Sequence, residues 1–179
     1  NSLPITTKTL NLKVNGTNVN KVERGTTVQL CASCNKDAEV TFSILKKGET
    51  TPITLTEPSY ASGKYTKDYS FDTIGEYTIY FTATKDGYTV QSAKKKLTVI
   101  KPNLSNAEIT FPDGNVAAFN YVTATGVPTF VVTYKGTELK ENVDFVITRG
   151  ASTYDVGPCT LTIKATDSGD YTGSKSAQW

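Results

Sequence analysis

The 179-residue chain has no histidine and no methionine, one tryptophan and only three cysteines. Without histidine it lacks the commonest general base and the commonest zinc ligand, which excludes Ser-His and Cys-His nucleophiles and His-dependent metal centres. An excess of one charge is missing too: 19 Lys and Arg stand against 17 Asp and Glu, a formal charge of +2. Dispersed along the chain, that charge is too small for counterion-release binding to nucleic acid. No apolar run approaches the roughly 18 residues that span a bilayer, so direct membrane insertion is not expected. The opening NSLPITTKTL has neither an initiator Met nor the charged-then-apolar pattern of a signal peptide. The alternation runs into Trp179 with no turn signal, and we expect a mature form or fragment of a longer polypeptide.

What is abundant is threonine, about a sixth of the residues, together with ten Tyr and seven Phe, a composition that favours β structure. Short period-two runs dominate, as in Val40-Thr-Phe42-Ser-Ile44 and Tyr77-Thr-Ile79-Tyr-Phe81, each bounded by Gly, Pro, Asn or Asp. The first half predicts strands near 8–14, 26–34, 38–46, 51–56, 64–71, 75–84 and 91–100, with turns at Asn15-Gly16, Asn35-Lys-Asp37, Lys47-Gly48 and Asp86-Gly87. The second predicts strands near 107–112, 117–124, 128–135, 137–140, 143–149, 158–167 and 174–179. No helix is predicted. Alternation stops at Lys101-Pro102-Asn103, where proline interrupts ladder bonding, which divides the chain into domains 1–101 and 102–179. A strand every dozen residues is the spacing of a β-sandwich.

The odd cysteine count does not make a disulfide framework. Cys31-Ala-Ser-Cys34 has C-x-x-C spacing but follows the β-type run Thr27–Leu30 and lacks a second ligand pair, so neither a redox nor a zinc role is expected. Strand parity points Cys34 inward and Cys31 outward. In the first half, Phe71-Asp-Thr-Ile-Gly75-Glu-Tyr77 fits a corner in which Gly75 makes the turn and the Tyr77 hydroxyl bonds back to the loop. Tyr154-Asp-Val-Gly157-Pro-Cys159 repeats the pattern, with Cys159 in the core.

The run from Gly75 to Tyr88 resembles the last two strands of bacterial immunoglobulin-like modules found in tandem on surface proteins. At the position where antibody domains carry a disulfide cysteine stands Ile79, facing Leu30 or Ala32, so apolar packing is expected to replace the inter-sheet disulfide. The second half, with Val131-Val-Thr-Tyr-Lys-Gly-Thr-Glu-Leu139, Val156-Gly-Pro-Cys-Thr-Leu161 and Ser168-Gly-Asp-Tyr-Thr-Gly173, resembles the MBG-type Ig-like repeats of bacterial cell-surface proteins. It departs from them at Phe145, Pro158-Cys159 and Asp170. The resemblance implies two tandem immunoglobulin-like β-sandwich domains, all-β, extracellular or on a bacterial cell surface, with no catalytic residues, cofactor or metal. Their partners would be neighbouring domains of the same polypeptide, with a host or polysaccharide ligand as a further option.

The acids Glu57, Asp68, Asp86, Asp144 and Asp155 lie in turns or at strand ends, with no loop long enough to form a glycosidase cleft between paired carboxylates. Asn103, Asn106, Asp113 and Asp86 offer oxygen donors for calcium, as do Asp167 and Asp170, but such residues also cap turns without metal. No Lys, Asn and acid trio stands out for an isopeptide cross-link. Among the exposed tyrosines, Tyr60, Tyr80 and Tyr88 are the candidate sugar contacts, since Tyr69 shares inward parity with Phe71. Lys94-Lys-Lys96 reads as an edge guarded against unwanted pairing. The sequence therefore predicts a non-enzymatic spacer or adhesion stalk. An accessory carbohydrate-binding module of a polysaccharide-degrading system, or a phage virion decoration or fibre module, are the alternatives.

Overall fold

The computed structural model describes residues 5–113, 129–149 and 160–178. The chain divides into two compact units, Asn1–Ile100 and Lys101–Trp179, one residue before the boundary read from the sequence. No helix among the described residues is long and apolar enough to cross a membrane.

The first unit contains β1 (Thr7–Val14), β2 (Thr17–Asn18), β3 (Lys21–Glu23), β4 (Thr26–Cys34), β5 (Glu39–Lys46), β6 (Ile53–Leu55), β7 (Ser59–Ala61), β8 (Lys64–Phe71), β9 (Gly75–Lys85), β10 (Tyr88–Gln91) and β11 (Lys95–Ile100). They form one sheet in the order β2-β1-β4-β8-β7 and a second in the order β3-β11-β9-β5-β6, with β10 also on β9. All pairings are antiparallel except β3 with β11, which run parallel from Lys21↔Thr98 to Glu23↔Ile100. Consecutive strands that change sheet, with the short β3 beside the last strand, define an immunoglobulin-like sandwich.

Alternation decides which face each strand buries. On β9, Tyr77, Ile79, Phe81 and Ala83 are buried while Glu76, Thr78, Tyr80, Thr82 and Thr84 face away from the core. They pack with Leu30 and Ala32 of β4, Phe42 and Ile44 of β5, Phe71 and Leu97. Each fully buried large apolar side chain contributes roughly 1.5–3 kcal/mol, and Phe42 meets Phe81 edge to face at 6.1 Å. The inter-sheet position at Ile79 is thus apolar, as expected from the sequence.

The short strands β2, β3 and β7 are not in the sequence reading, and two further details differ from it. The strand predicted over 91–100 begins only at Lys95, as β11, and a separate strand the sequence did not predict, β10, ends at Gln91: register along β9 shifts by one residue between Gln91↔Thr82 and Lys95↔Ile79. At that bulge Ser92 is buried, and its Oγ accepts the Phe81 N–H at 2.9 Å while donating to the Ala93 carbonyl at 2.9 Å. Cys31, expected outward and open, does sit on the outer face, but only 4% of it is exposed. It lies on a central strand between Asn11 of β1 and Thr66 of β8, whose side chains share its face and cover it. Cys34 is buried as expected, and both thiols are free.

The second unit carries β12 (Glu108–Thr110), β13 (Val131–Tyr134), β14 (Thr137–Glu138), β15 (Phe145–Arg149), β16 (Thr160–Ala165) and β17 (Ser174–Gln178). Its described strands form two three-stranded sheets, β12-β13-β14 and β15-β16-β17, around Leu104, Val132, Tyr134, Leu139, Phe145, Leu161 and Ile163. The strand predicted at 117–124 and the corner Tyr154–Cys159 lie outside the described residues.

The Pro-containing joint is built into this unit. Lys101 Nζ donates to the Gly169 carbonyl at 2.7 Å, Thr172 N to Pro102 O at 2.9 Å, and Leu104 N to Thr172 O at 2.8 Å. Leu104 is fully buried and opens a 3₁₀ turn, Leu104–Asn106, which Asn103 caps. Both units are all-β, and the chain is a tandem pair of immunoglobulin-like sandwiches.

Candidate functional site

In the first unit, two tyrosine hydroxyls tie the ends of the sandwich. Tyr77 donates to the Thr73 carbonyl at 2.7 Å, which closes the corner between β8 and β9. Gly75 in that corner has φ +150°, a backbone that strains any side chain, and the Lys46 stem lies where its Cβ would be. At the other pole Tyr65 donates to the Asn35 carbonyl at 3.0 Å and accepts the Ala38 N–H at 3.0 Å. This ties the crossover from β4 to β5. Parity alone did not reveal that role, because the acceptor loop is some thirty residues away in sequence. Burial raises both phenols above their ordinary value; at Tyr65 the Ala38 N–H partly offsets the rise.

The three tyrosines singled out from the sequence do not share one platform. Tyr60 is 42% exposed on β7, an edge strand of the first sheet, with its ring 4.8 Å from that of Tyr65. Tyr80 and Tyr88 belong to the second sheet but face opposite ways. Val90 pairs with Ala83 and packs on the core, so Tyr88, two residues earlier, has inward parity at the end of the sheet and is 51% exposed. Tyr80 stands on the outer face, where Lys94 Nζ lies 5.7 Å from its ring centre.

The acids are held by local structure. Glu57, between β6 and β7, and Asp86, in the turn between β9 and β10, are exposed residues with left-handed backbone, φ 55° and 51°. Asp68 is exposed on β8. Asp144 Oδ2 accepts the Lys140 N–H at 2.8 Å across a tight turn, and Asp155 lies outside the described residues. Asn103 Oδ1 accepts the Ser105 N–H at 2.9 Å, the work of a turn cap. No group of three His, Cys, Asp or Glu side chains suited to a metal occurs among the described residues. A groove of about 330 Å³ at the Gly75 end is lined by Lys46, Lys47, Glu49, Glu76, Tyr77 and Lys96. Its Glu76 pairs with Lys47 at 3.0 Å, both largely exposed, so neither side chain has the burial that tunes a catalytic carboxylate.

No family model matches the chain, and no curated protein does. Among solved structures, it is similar to the PmoD soluble domain from Methylocystis sp. ATCC 49242, with a TM-score of 0.39 and 14% identity over 50% of this chain and 88% of that one. A chimeric titin Z1Z2 carrying an exogenous decorin peptide gives a TM-score of 0.36 at 15% identity, covering 97% of this chain and 93% of that one. Titin domains Z1Z2 in complex with telethonin give 0.34 at 14% identity, again over 97% and 93%.

Proposed function

We propose that the chain is a non-catalytic tandem immunoglobulin-like spacer of a bacterial cell-surface or secreted multidomain protein, holding neighbouring domains of the same polypeptide apart. The observation that carries this reading is the path through the first unit. β1 begins beside Cys34 at one pole, and β11 ends at Ile100 beside Glu23 at the other. A module entered at one pole and left at the opposite one adds its full length to a stalk. Tension between its ends loads the parallel β3–β11 ladder and the antiparallel β1–β4 ladder in shear, so several hydrogen bonds resist together. The likeness of residues 105–179 to MBG-type repeats supports the bacterial surface setting. The spread of Tyr60, Tyr80 and Tyr88 over separate surfaces counts against a sugar platform built from all three.

Single-molecule stretching of the full chain between end-attached handles tests the spacer role. Two separate unfolding events are expected, the larger releasing on the order of 300 Å of chain, given about 3.3–3.6 Å per extended residue. Extension with no force peak would overturn it. Protease shaving of intact cells expressing the whole parent protein tests the setting: release of peptides from this chain is expected, and their complete protection would refute surface exposure.

A further inference from the structure

The outer face of the β3-β11-β9-β5-β6 sheet brings together residues from three strands that are distant in sequence. Tyr80 of β9 pairs across the ladder with Ser43 of β5, and Lys96 of β11 pairs with Thr78, one outward position before Tyr80. Lys94, in the bulge between β10 and β11, reaches back over the Tyr80 ring. Thr41 and Thr82, the next cross-strand pair, complete the patch. Lys94 and Lys96 are exposed, and no carboxylate stands among these residues. Carboxylates stand at the two ends of the strip: Glu76, which lines a groove with Lys96 and pairs with the largely exposed Lys47, and the exposed Glu39, opposite Thr84 and next to Thr41 and Thr82.

Ser43 is the second observation. It is only 6% exposed although it lies on the outer face, and its hydroxyl makes no hydrogen bond to any other described residue. A buried hydroxyl without a partner is costly, and here it sits across the ladder from an aromatic ring that the Lys94 ammonium overlies. Hydroxyl, ring and cations in one strip are complementary to a sugar that also carries negative charge: the ring covers the apolar face of a pyranose, and the lysines meet its acidic substituents.

We propose that this face binds a polysaccharide bearing carboxylate groups, with Tyr80 as the stacking ring, Lys94 and Lys96 as partners of the carboxylates, and Ser43 and Thr78 as hydroxyl contacts. On binding, the Lys94 ammonium exchanges its place over the ring for a carboxylate at the ring edge. This goes beyond the spacer role and does not depend on it, since the stretching experiment does not involve this face.

Affinity electrophoresis of the full chain tests the proposal, with polygalacturonate in the gel at about 150 mM salt, where charge interactions between exposed groups are screened beyond roughly 8 Å. Neutral dextran and dextran sulfate serve as comparison polymers. Retardation by polygalacturonate is expected, with none by dextran. Tyr80→Ala is expected to weaken it about tenfold, and Lys94→Gln with Lys96→Gln at least as much. Lys13→Gln, on the other sheet, is expected to leave it unchanged. No retardation by polygalacturonate overturns the proposal. So does retardation that survives Tyr80→Ala, or that dextran sulfate matches in all variants, since either marks diffuse charge binding. If Tyr80→Ala fails to fold, the double lysine variant and Ser43→Val decide the matter by the same criteria.

Discussion

The Tyr77 hydroxyl donates to the carbonyl of Thr73, four residues earlier, at 2.7 Å, so a single side chain closes the loop that carries the chain from one sheet to the other. Tyr77→Phe removes this donor and leaves the carbonyl to find water. A loss of about 0.5–1.5 kcal/mol is expected, read by urea denaturation with amide exchange followed on β9. The phenol also gives a pH signature. Burial raises it above its ordinary value, with smaller contributions from Tyr69, Glu49 and Asp72. Because the folded state holds the proton more tightly than the unfolded chain, this stabilisation is complete below about pH 10 and is lost as pH rises through the higher folded value. The melting temperature is expected to fall more steeply above pH ~10 in the wild type than in Tyr77→Phe, with Tyr65 and Cys34, also raised by burial, contributing to the slope that remains.

Ser92 fills the gap in the ladder where β10 ends and β11 has not begun. Replacing it with alanine leaves the buried Phe81 N–H without the Oγ that accepts it, at an expected cost of about 1–3 kcal/mol. Hydrogen exchange of the Phe81 amide is the direct readout, and faster exchange than in the wild type is the expected outcome. A Thr at this position keeps the acceptor and is expected to restore most of the protection.

Both thiols of β4 are buried, and desolvation raises that of Cys34. In a Cys159→Ser background, alkylation of the native chain by iodoacetamide is expected to be at least about tenfold slower than in urea. Native-state labelling of Cys31 at the rate of a free thiol would contradict the cover that Asn11 and Thr66 give it.

In the second unit, Gly173 has φ +77°, and a Cβ there would run into the Asn103 side chain. Gly173→Ala is expected to cost about 1–3 kcal/mol. Exchange measured peptide by peptide is expected to show the loss in the second unit alone, with the β4–β9 peptides of the first unit unaffected.

Much of this architecture is legible in the sequence because alternation is a local signal. The inward set on β9, the turn at Asn15-Gly16 with φ 49° and 76°, and the corner at Gly75 and Tyr77 are each written within a few consecutive residues. What escapes local reading depends on neighbours in the sheet. Cys31 faces outward as parity says, yet a central strand is covered on that side too. The one-residue register shift at Ser92 reflects how two strands meet a third, and β2, β3 and β7 are too short to show a period. Tyr65 looks like an exposed aromatic until the crossover it ties is in place. The strip formed by Ser43, Tyr80 and Lys94 exists only through the sheet order, which places β5, β9 and β11 side by side.

The strap from Lys101 to Leu104 has a practical and an evolutionary corollary. A gene fragment starting at Ser105 would delete a fully buried leucine and the backbone partners of Thr172, so the second module produced from it would lose its folding cooperativity. Any duplication or exchange of this module between genes must therefore carry Lys101-Pro-Asn-Leu104 along as its own leading segment.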